Sequence, residues 1–203
     1  MGEILDKLKG KTAEMLVKEY NLDKTLPIDI VALAENLGIK LIGLDFNEIE
    51  KKEPFSTMVK INGHILGATL ENDDDLIIYY NTSDFSEYFQ DMPLALAIRK
   101  KICRNRFTIA HEIGHCCLHM LSETGFNIAY RTDATDYYNK EEREANIFAG
   151  ELLIPTTLVD KVYENLEIVR VEDMAELFQV SNSVMKARLD YLNRPYITNS
   201  QSR

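Results

Sequence analysis

The sequence predicts an α+β fold in which a small, twisted and mostly antiparallel sheet lies beside a larger set of helices. Two observations carry this prediction. β-rich runs and turn residues are grouped between positions 39 and 81, whereas apolar residues elsewhere recur with helical spacing. The 203 residues suffice for one substantial core, and no Pro/Gly/Ser-rich linker divides them. We therefore predict one domain over residues 1–165 with a helical appendage over residues 166–203.

Two helices followed by several strands are predicted in the N-terminal part of the chain. The segment "ILDKLKGKTAEMLVKEYNL" has helical apolar spacing, and "PIDIVALAENLG" predicts a second helix from Pro27 to Gly38. "IKLIGLDF" then predicts a strand, and Asn62-Gly63 between two β-rich runs indicates a hairpin. "DLIIYYN" follows an acidic turn and predicts the last strand.

The second half of the chain predicts helices. Residues 93–121 hold either one long helix or two, and "KEEREANIFAGELLI" predicts another helix that ends at Pro155. "TTLVDKVYENL" predicts a short helix. "VEDMAELF", "QVS" and "NSVMKARLDYL" predict a helix, a tight turn and a helix with Ser181 as N-cap. "NRPYITNSQSR" predicts a loose tail.

The composition disfavours several classes of partner. Acidic residues outnumber basic ones 33 to 23, and the net charge of −10 disfavours unspecific binding to nucleic acids or anionic membranes. No window of about 18 apolar residues predicts a membrane span. The three cysteines are an odd number with two adjacent, which is not typical of a disulfide framework. We expect a cytoplasmic protein with reduced thiols and no membrane association.

The segment "RFTIAHEIGHCCLHML" places polar groups on one side of an otherwise apolar helix. At about 100° per residue, His111, Glu112, His115 and His119 fall within one sector of roughly 100°. Two imidazoles four residues apart can bind one metal ion beside a carboxylate, which is the H-E-x-x-H arrangement of zinc peptidases. We predict His111 and His115 as zinc ligands and Glu112 as the catalytic base. A solvated helix face without a metal is the alternative interpretation.

The same helix carries small residues whose positions indicate packing. Gly114 permits close approach of another element. Cys116 and Cys117 are soft metal donors by chemistry, but they lie on the apolar side of the helix, where we expect small core residues.

A catalytic zinc ion usually takes three protein ligands, so a third is required. The H-E-x-x-H-x-x-G-x-x-H class is excluded because positions 118 and 121 are leucines. The helix that begins near residue 140 offers Glu141, Glu142 and Glu144. Glu142 lies on the side of that helix's apolar stripe, whereas Glu144 points about 160° away. We predict Glu142 as the third ligand, with Glu144 as the alternative.

Two further residues bear on this assignment. Asn146 follows Glu142 by one turn and is predicted to hydrogen-bond behind the ligands. Asn139 as an N-cap with Glu142 at the third helical position would form a capping-box-like pair that needs no metal.

"RFTIAHEIGHCCLH" followed by "EREANIFAGELLIP" resembles the ImmA/IrrE family of zinc metallopeptidases, whose corresponding helices read "RFTxAHExGHxxLH" and "ExxANxFAxxLLxP". "PIDIVALAENLGIKL" and "MAELFQVSNSVMKARL" also resemble the family. The resemblance implies a minimal zincin-like metallopeptidase domain with one catalytic zinc ion in a gluzincin-like H-E-x-x-H…E site. It assigns His111, His115 and Glu142 as ligands and Glu112 as the base. The chain departs from the family in the longer segment "SDFSEYFQDMPLALAIRKKIC".

The resemblance also implies a substrate, because several members relieve repression by cleaving or otherwise inactivating a helix-turn-helix repressor. We therefore predict a zinc-dependent endopeptidase that acts on a partner protein, with such a repressor as the expected substrate. The alternative is a non-catalytic zinc-bound regulatory module that binds a repressor or DNA, and a third hypothesis is a metal-dependent toxin. Candidates for stabilising the oxyanion are His119 and Tyr130. The alternatives are a packing or supporting role for His119 and a surface position in a polar loop for Tyr130.

Two other features invite functional hypotheses. A strand within "HILGATL" is a candidate for pairing with an extended peptide. The C-terminal helices have helix-turn-helix form, which is typical of DNA binding. DNA contact is disfavoured because Glu172 and Asp173 open the first helix and only Lys186 and Arg188 are basic in the second. We expect these helices to pack or to bind a protein.

Overall fold

The computed structural model of the chain describes residues 3–51, 66–71, 75–83, 92–119, 140–164 and 166–198. Helices account for most of the described residues, and three strands form one sheet that packs against the longest helix. The predicted α+β class is confirmed. None of the described helices combines the length and the apolar character needed to cross a lipid bilayer.

The N-terminal segment forms two separate helices, although its apolar residues follow one continuous helical spacing. Gly10 separates α1 (Glu3–Leu8) from α2 (Ala13–Glu19), and its φ of 76° lies in the left-handed region that favours glycine. The Thr12 hydroxyl then accepts a hydrogen bond from the Met15 amide at 3.2 Å and caps α2. The apolar residues stay in phase across this break, so periodicity alone does not reveal it.

The next helix begins later than predicted. After a 3-10 turn (Leu22–Lys24), α3 spans Ile30–Asn36, and Asp29 rather than Pro27 precedes its first turn. The Asp29 carboxylate accepts a hydrogen bond from the Ala32 amide at 3.0 Å. This side-chain cap sets the start of the helix more strongly than the preference of proline for the first helical position.

Three described strands form a mixed sheet in the order β1-β3-β2. They are β1 (Ile39–Leu44), β2 (Gly67–Glu71) and β3 (Leu76–Asn81), and a one-turn helix, α4 (Asn47–Glu50), follows β1. β1 pairs with β3 in parallel and β2 pairs with β3 antiparallel, so the expected mostly antiparallel pairing is corrected for these strands. A strand pattern does not name its partner, and a parallel pair needs a crossover. The predicted hairpin at Asn62-Gly63 lies outside the described residues.

One continuous helix, α5 (Leu94–Leu118), lies between the sheet and a second helix, α6 (Lys140–Leu153). All residues from 107 to 117 are buried as a result. The interpretation of this segment as a solvated face is wrong, because His111 and Glu112 are each 0% exposed. The polar side of the predicted helix is therefore an internal surface of the fold.

The apolar stripe that the sequence predicts for α6 is confirmed. Its five members are all buried in the core: Ala145, Phe148, Ala149, Leu152 and Leu153. A short helix, α7 (Thr156–Tyr163), begins directly after Pro155. Cys116 and Cys117 are also buried, as expected of small core residues.

The C-terminal segment contains the predicted pair of helices, α8 (Val171–Leu177) and α9 (Asn182–Tyr191). The Ser181 hydroxyl caps α9, as predicted. The tail is not wholly loose, because β5 (Tyr196–Ile197) pairs in parallel with β4 (Val169–Arg170). A two-residue ladder of this kind leaves little trace in a sequence.

The C-terminal helices pack on the same core as the rest of the chain. Arg106 on α5 donates hydrogen bonds to the carbonyl oxygens of Gln179 and Ile28, at 3.2 and 2.8 Å. The helix that carries the H-E-x-x-H motif is thereby joined to both the N-terminal and the C-terminal segments. Buried residues of the C-terminal segment belong to the same hydrophobic cluster as α5: Met174, Phe178, Val180, Met185 and Leu189. The domain boundary near residue 165 stays a prediction.

Candidate metal centre

Three side chains from two helices converge on one point. His111 and His115 lie one turn apart on α5, and Glu142 lies in the first turn of α6. The two histidine Nε2 atoms are 3.0 Å apart, and the Glu142 carboxylate oxygens lie 3.2 and 3.1 Å from them. Donors at roughly 2.0–2.1 Å from a tetrahedral zinc ion are about 3.3 Å from one another. The spacing and the chemistry of this group therefore fit a zinc ion.

Close packing of the two helices brings these donors together. A Cβ added at Gly114 would lie 3.1–3.2 Å from three side-chain atoms of Phe148, tighter than most such contacts. Glycine therefore lets α6 approach α5 more closely than a larger residue would allow. Glu142 begins α6 on the same side as its core stripe, so this approach carries the carboxylate to the two imidazoles.

Asn146 orients one of the two histidines. Its Oδ1 lies 3.1 Å from His111 Nδ1, and a carbonyl oxygen can only accept a hydrogen bond. In the neutral ring, Nδ1 therefore carries the one proton and Nε2 keeps a lone pair directed at the donor group. A hydrogen bond from His111 to Glu142 requires a second proton, on Nε2. This contact supports the hydrogen-bonding role that the sequence predicts for Asn146.

The electrostatics of the group favour an ionised carboxylate. For His115, burial lowers the pKa, but the hydrogen bond with Glu142 and the charges of Glu112 and Glu142 raise it more, so that the pKa is raised overall. For Glu142, burial raises the pKa, but hydrogen bonds from His111 and His115 lower it to well below its usual range. Protons and a metal ion therefore compete for the same imidazole nitrogens.

Glu112 lies beside the donor group and is fully buried. Its Oε2 accepts a hydrogen bond from the Thr69 hydroxyl at 2.6 Å, which joins the H-E-x-x-H helix to β2. Gly67 lies on the same strand, and a Cβ there would come within 3.1 Å of Glu112 Oε1. Sequence reasoning did not single out Thr69 or Gly67, because nothing in "GATLE" distinguishes them from ordinary strand residues.

Glu144 and His119 are not members of the donor group, although the His119 ring lies beside that of His115, with 5.3 Å between the ring centroids. His119 Nε2 donates a hydrogen bond to the carbonyl oxygen of Glu141 at 3.1 Å and lies 3.8 Å from Glu144 Oε2. The other Glu144 oxygen lies 3.5 Å from Lys140 Nζ. Glu142 rather than Glu144 is thus the carboxylate that meets His111 and His115, as helical geometry predicts.

Two residues discussed from the sequence lie outside the described residues: Tyr130, the second oxyanion candidate, and Asn139. The capping-box interpretation of Glu142 therefore stays a hypothesis.

The C-terminal helices offer little positive charge for DNA. Arg188 is buried and donates hydrogen bonds to the carbonyl oxygen of Ile154, to the Glu151 carboxylate and to the Thr156 hydroxyl, at 3.1, 3.1 and 3.2 Å. It ties α9 to the junction between α6 and α7. Lys186 is then the one exposed basic residue on α9.

Comparison with known proteins identifies the family. No curated protein sequence matches the chain significantly. A peptidase family model, described as IrrE N-terminal-like domain, matches residues 81–190, which is more than half of the 203 residues. The matched stretch contains α5 and α6 and hence the His-His-Glu group and Glu112. With the H-E-x-x-H helix and the glutamate helix packed as described, the chain belongs to the ImmA/IrrE family of metallopeptidases.

Proposed function

We propose that this protein is a zinc-dependent endopeptidase that hydrolyses a peptide bond in a partner protein. The observation that carries the proposal is the convergence of His111, His115 and Glu142 beside the buried Glu112, in a chain of a metallopeptidase family. Two imidazoles and one carboxylate are a known donor set for catalytic zinc, with a further position for water. A zinc ion bound there would polarise the scissile carbonyl and lower the pKa of the attacking water to about 7.

Each protein group has a distinct role in this mechanism. Glu112 accepts a proton from the attacking water and delivers it to the amine nitrogen as the C–N bond breaks, so that the products are a carboxylate and an amine. Asn146 holds the His111 ring with Nε2 directed at the metal position. We assign His119 to holding α5 and α6 together rather than to the oxyanion, because its Nε2 already donates to the Glu141 carbonyl.

The proposed substrate is a helix-turn-helix transcriptional repressor, on the basis of the family resemblance. Charge supports this choice, since the chain carries a net charge of −10 and proteins that bind DNA present basic surfaces. β2 is one of the two outer strands of the described sheet, and it lies next to Glu112, so its edge is the proposed place for an extended peptide to pair. We propose the cytoplasm as the site of the reaction, where repressors act.

Glu112→Gln tests the proposal, because it removes the base and keeps a side chain of the same shape. We expect cleavage of the repressor to fall by roughly 10²–10⁴-fold while one zinc ion per chain is retained. Cleavage of a candidate helix-turn-helix repressor is measured by mass spectrometry of its products, and zinc by elemental mass spectrometry.

Glu144→Gln is the matched control, since it changes a carboxylate on α6 that contacts His119 and Lys140 instead of the donor group. It should cleave at the wild-type rate. If the Glu112→Gln variant still inactivates the repressor fully, the peptidase proposal is wrong and the non-catalytic zinc-bound regulatory module is favoured.

A further inference from the structure

β2 packs against α5 at the turn that carries the proposed base, Glu112. A Cβ at Gly67 would lie 2.4 Å from Thr108 Cγ2 and 3.1 Å from Glu112 Oε1. Thr69 is two residues further along β2, on the same face, and its hydroxyl donates to Glu112 Oε2. Alternate residues of β2 thus meet successive turns of the helix that carries the base.

The hydrogen bond from Thr69 has the properties of a strong contact. The two oxygens are 2.6 Å apart, within the range of roughly 2.5–2.7 Å for a hydroxyl that donates to a carboxylate. Thr69 is 1% exposed and Glu112 is 0% exposed, so water does not compete for either oxygen. Threonine is branched at Cβ, which restricts χ1 and fixes the direction of its hydroxyl. The strand therefore presents a donor of defined position to the carboxylate.

We propose that Thr69 is a positioning residue for Glu112, whose hydroxyl holds one carboxylate oxygen so that the other is presented to the reacting water in a fixed orientation. This inference rests on the proposed peptidase function, because Glu112 acts on substrate only in that function. Thr69 itself does not contact the reacting atoms. Gly67 supports the arrangement, since the absence of its Cβ lets β2 lie close enough for the hydroxyl to reach.

Two substitutions at position 69 separate positioning from packing. Thr69→Val keeps the branched shape and removes the hydroxyl, whereas Thr69→Ser keeps the hydroxyl and removes a methyl group. We expect zinc-loaded Thr69→Val to lose roughly 10- to 100-fold in kcat with KM unchanged and one zinc ion retained. Thr69→Ser should recover most of the lost kcat. A crystal structure of zinc-loaded Thr69→Val should show the Glu112 carboxylate rotated from its wild-type orientation.

Thr108→Val is the matched control, because Thr108 is also 1% exposed and faces β2. Its hydroxyl has no hydrogen-bond partner among the described residues. This variant should keep the wild-type kcat and the wild-type orientation of Glu112.

The outcomes distinguish this inference from the proposed function. An active wild type together with an unchanged kcat in Thr69→Val would overturn the positioning role. A Thr69→Ser variant as slow as Thr69→Val would also overturn it, because packing rather than the hydroxyl would then be responsible. Absence of cleavage by wild-type protein on every repressor tested would count against the peptidase function alone. In that case the orientation of Glu112 in the two crystal structures still decides whether Thr69 positions the carboxylate.

Discussion

On each of two faces of α5, a glycine lets another element pack closely and bring a functional side chain to the helix. The two interfaces differ in how clearly the sequence pattern predicts them. On one face, Gly114 lets α6 approach, and this brings Glu142 to His111 and His115. On the other face, Gly67 lets β2 approach, and this brings the Thr69 hydroxyl to Glu112. The α6 interface brings together the candidate metal donors, whereas the β2 interface places a hydroxyl on the proposed base.

The difference lies in how each interface can be read from the sequence. Both elements at the α6 interface are helices with a period of 3.6, so the apolar stripe of α6 shows which carboxylate faces α5. At the β2 interface, a five-residue strand meets the helix through Gly67 and Thr69, which are small or polar and carry no apolar pattern. The candidate metal donors are thus visible in the sequence, whereas the residue that we propose to orient the base is not.

The largest expected effect concerns the α6 interface. Glu142→Ala removes one of three donors, so we expect zinc affinity to fall by more than the roughly 10- to 100-fold that loss of an outer hydrogen-bond partner costs. Glu144→Ala should keep one zinc ion per chain, because Glu144 contacts His119 and Lys140 instead. Elemental mass spectrometry after dialysis measures both. Loss of zinc from the Glu144 variant alone would reverse the assignment.

Asn146→Ala should have the next largest effect, again at the α6 interface. It removes the acceptor for His111 Nδ1–H, so the ring loses the contact that fixes its tautomer and orientation. We expect zinc affinity to fall by about 10- to 100-fold, which a competition titration with a chelating dye measures. Asn146→Asp keeps an oxygen acceptor and should bind zinc with near wild-type affinity. Equal affinities for the alanine variant and the wild type would remove Asn146 from the site.

The sequence predicted the parts of the fold that depend on local pattern. The helical character of the α5 segment, the apolar stripe of α6 and the Ser181 cap follow from spacing and from side-chain chemistry at helix ends. The spacing left open whether the α5 segment holds one helix or two. The predictions that differ from the structure concern strands whose pairing partners are distant in the chain. Parallel pairing of β1 with β3, and of β5 with β4, is selected by how the whole chain packs. Thr69 escapes prediction for the same reason, because its partner lies 43 residues away.

Gly67→Ala tests the β2 interface directly. The added Cβ would lie 2.4 Å from Thr108 Cγ2, a distance at which the strand or the helix must move. We expect the free energy of unfolding to fall by about 1–3 kcal/mol, with cleavage reduced as Thr69 is displaced from Glu112. Gly150→Ala is the control, because a Cβ there meets nothing within 4 Å. That variant should gain roughly 0.5–1 kcal/mol from reduced backbone entropy in the unfolded chain, as urea denaturation measures.

The smallest effect is expected at Thr108, which faces β2 one turn before Glu112. Its buried hydroxyl has no hydrogen-bond partner among the described residues, and burying such a group costs free energy without a compensating bond. Valine has the same shape and a similar helix propensity, so Thr108→Val should raise the free energy of unfolding by about 1 kcal/mol. Urea denaturation of the two proteins side by side gives this difference. A loss of stability would mean that the hydroxyl helps to hold β2 against α5, and the β2 interface would then depend on two threonines instead of one.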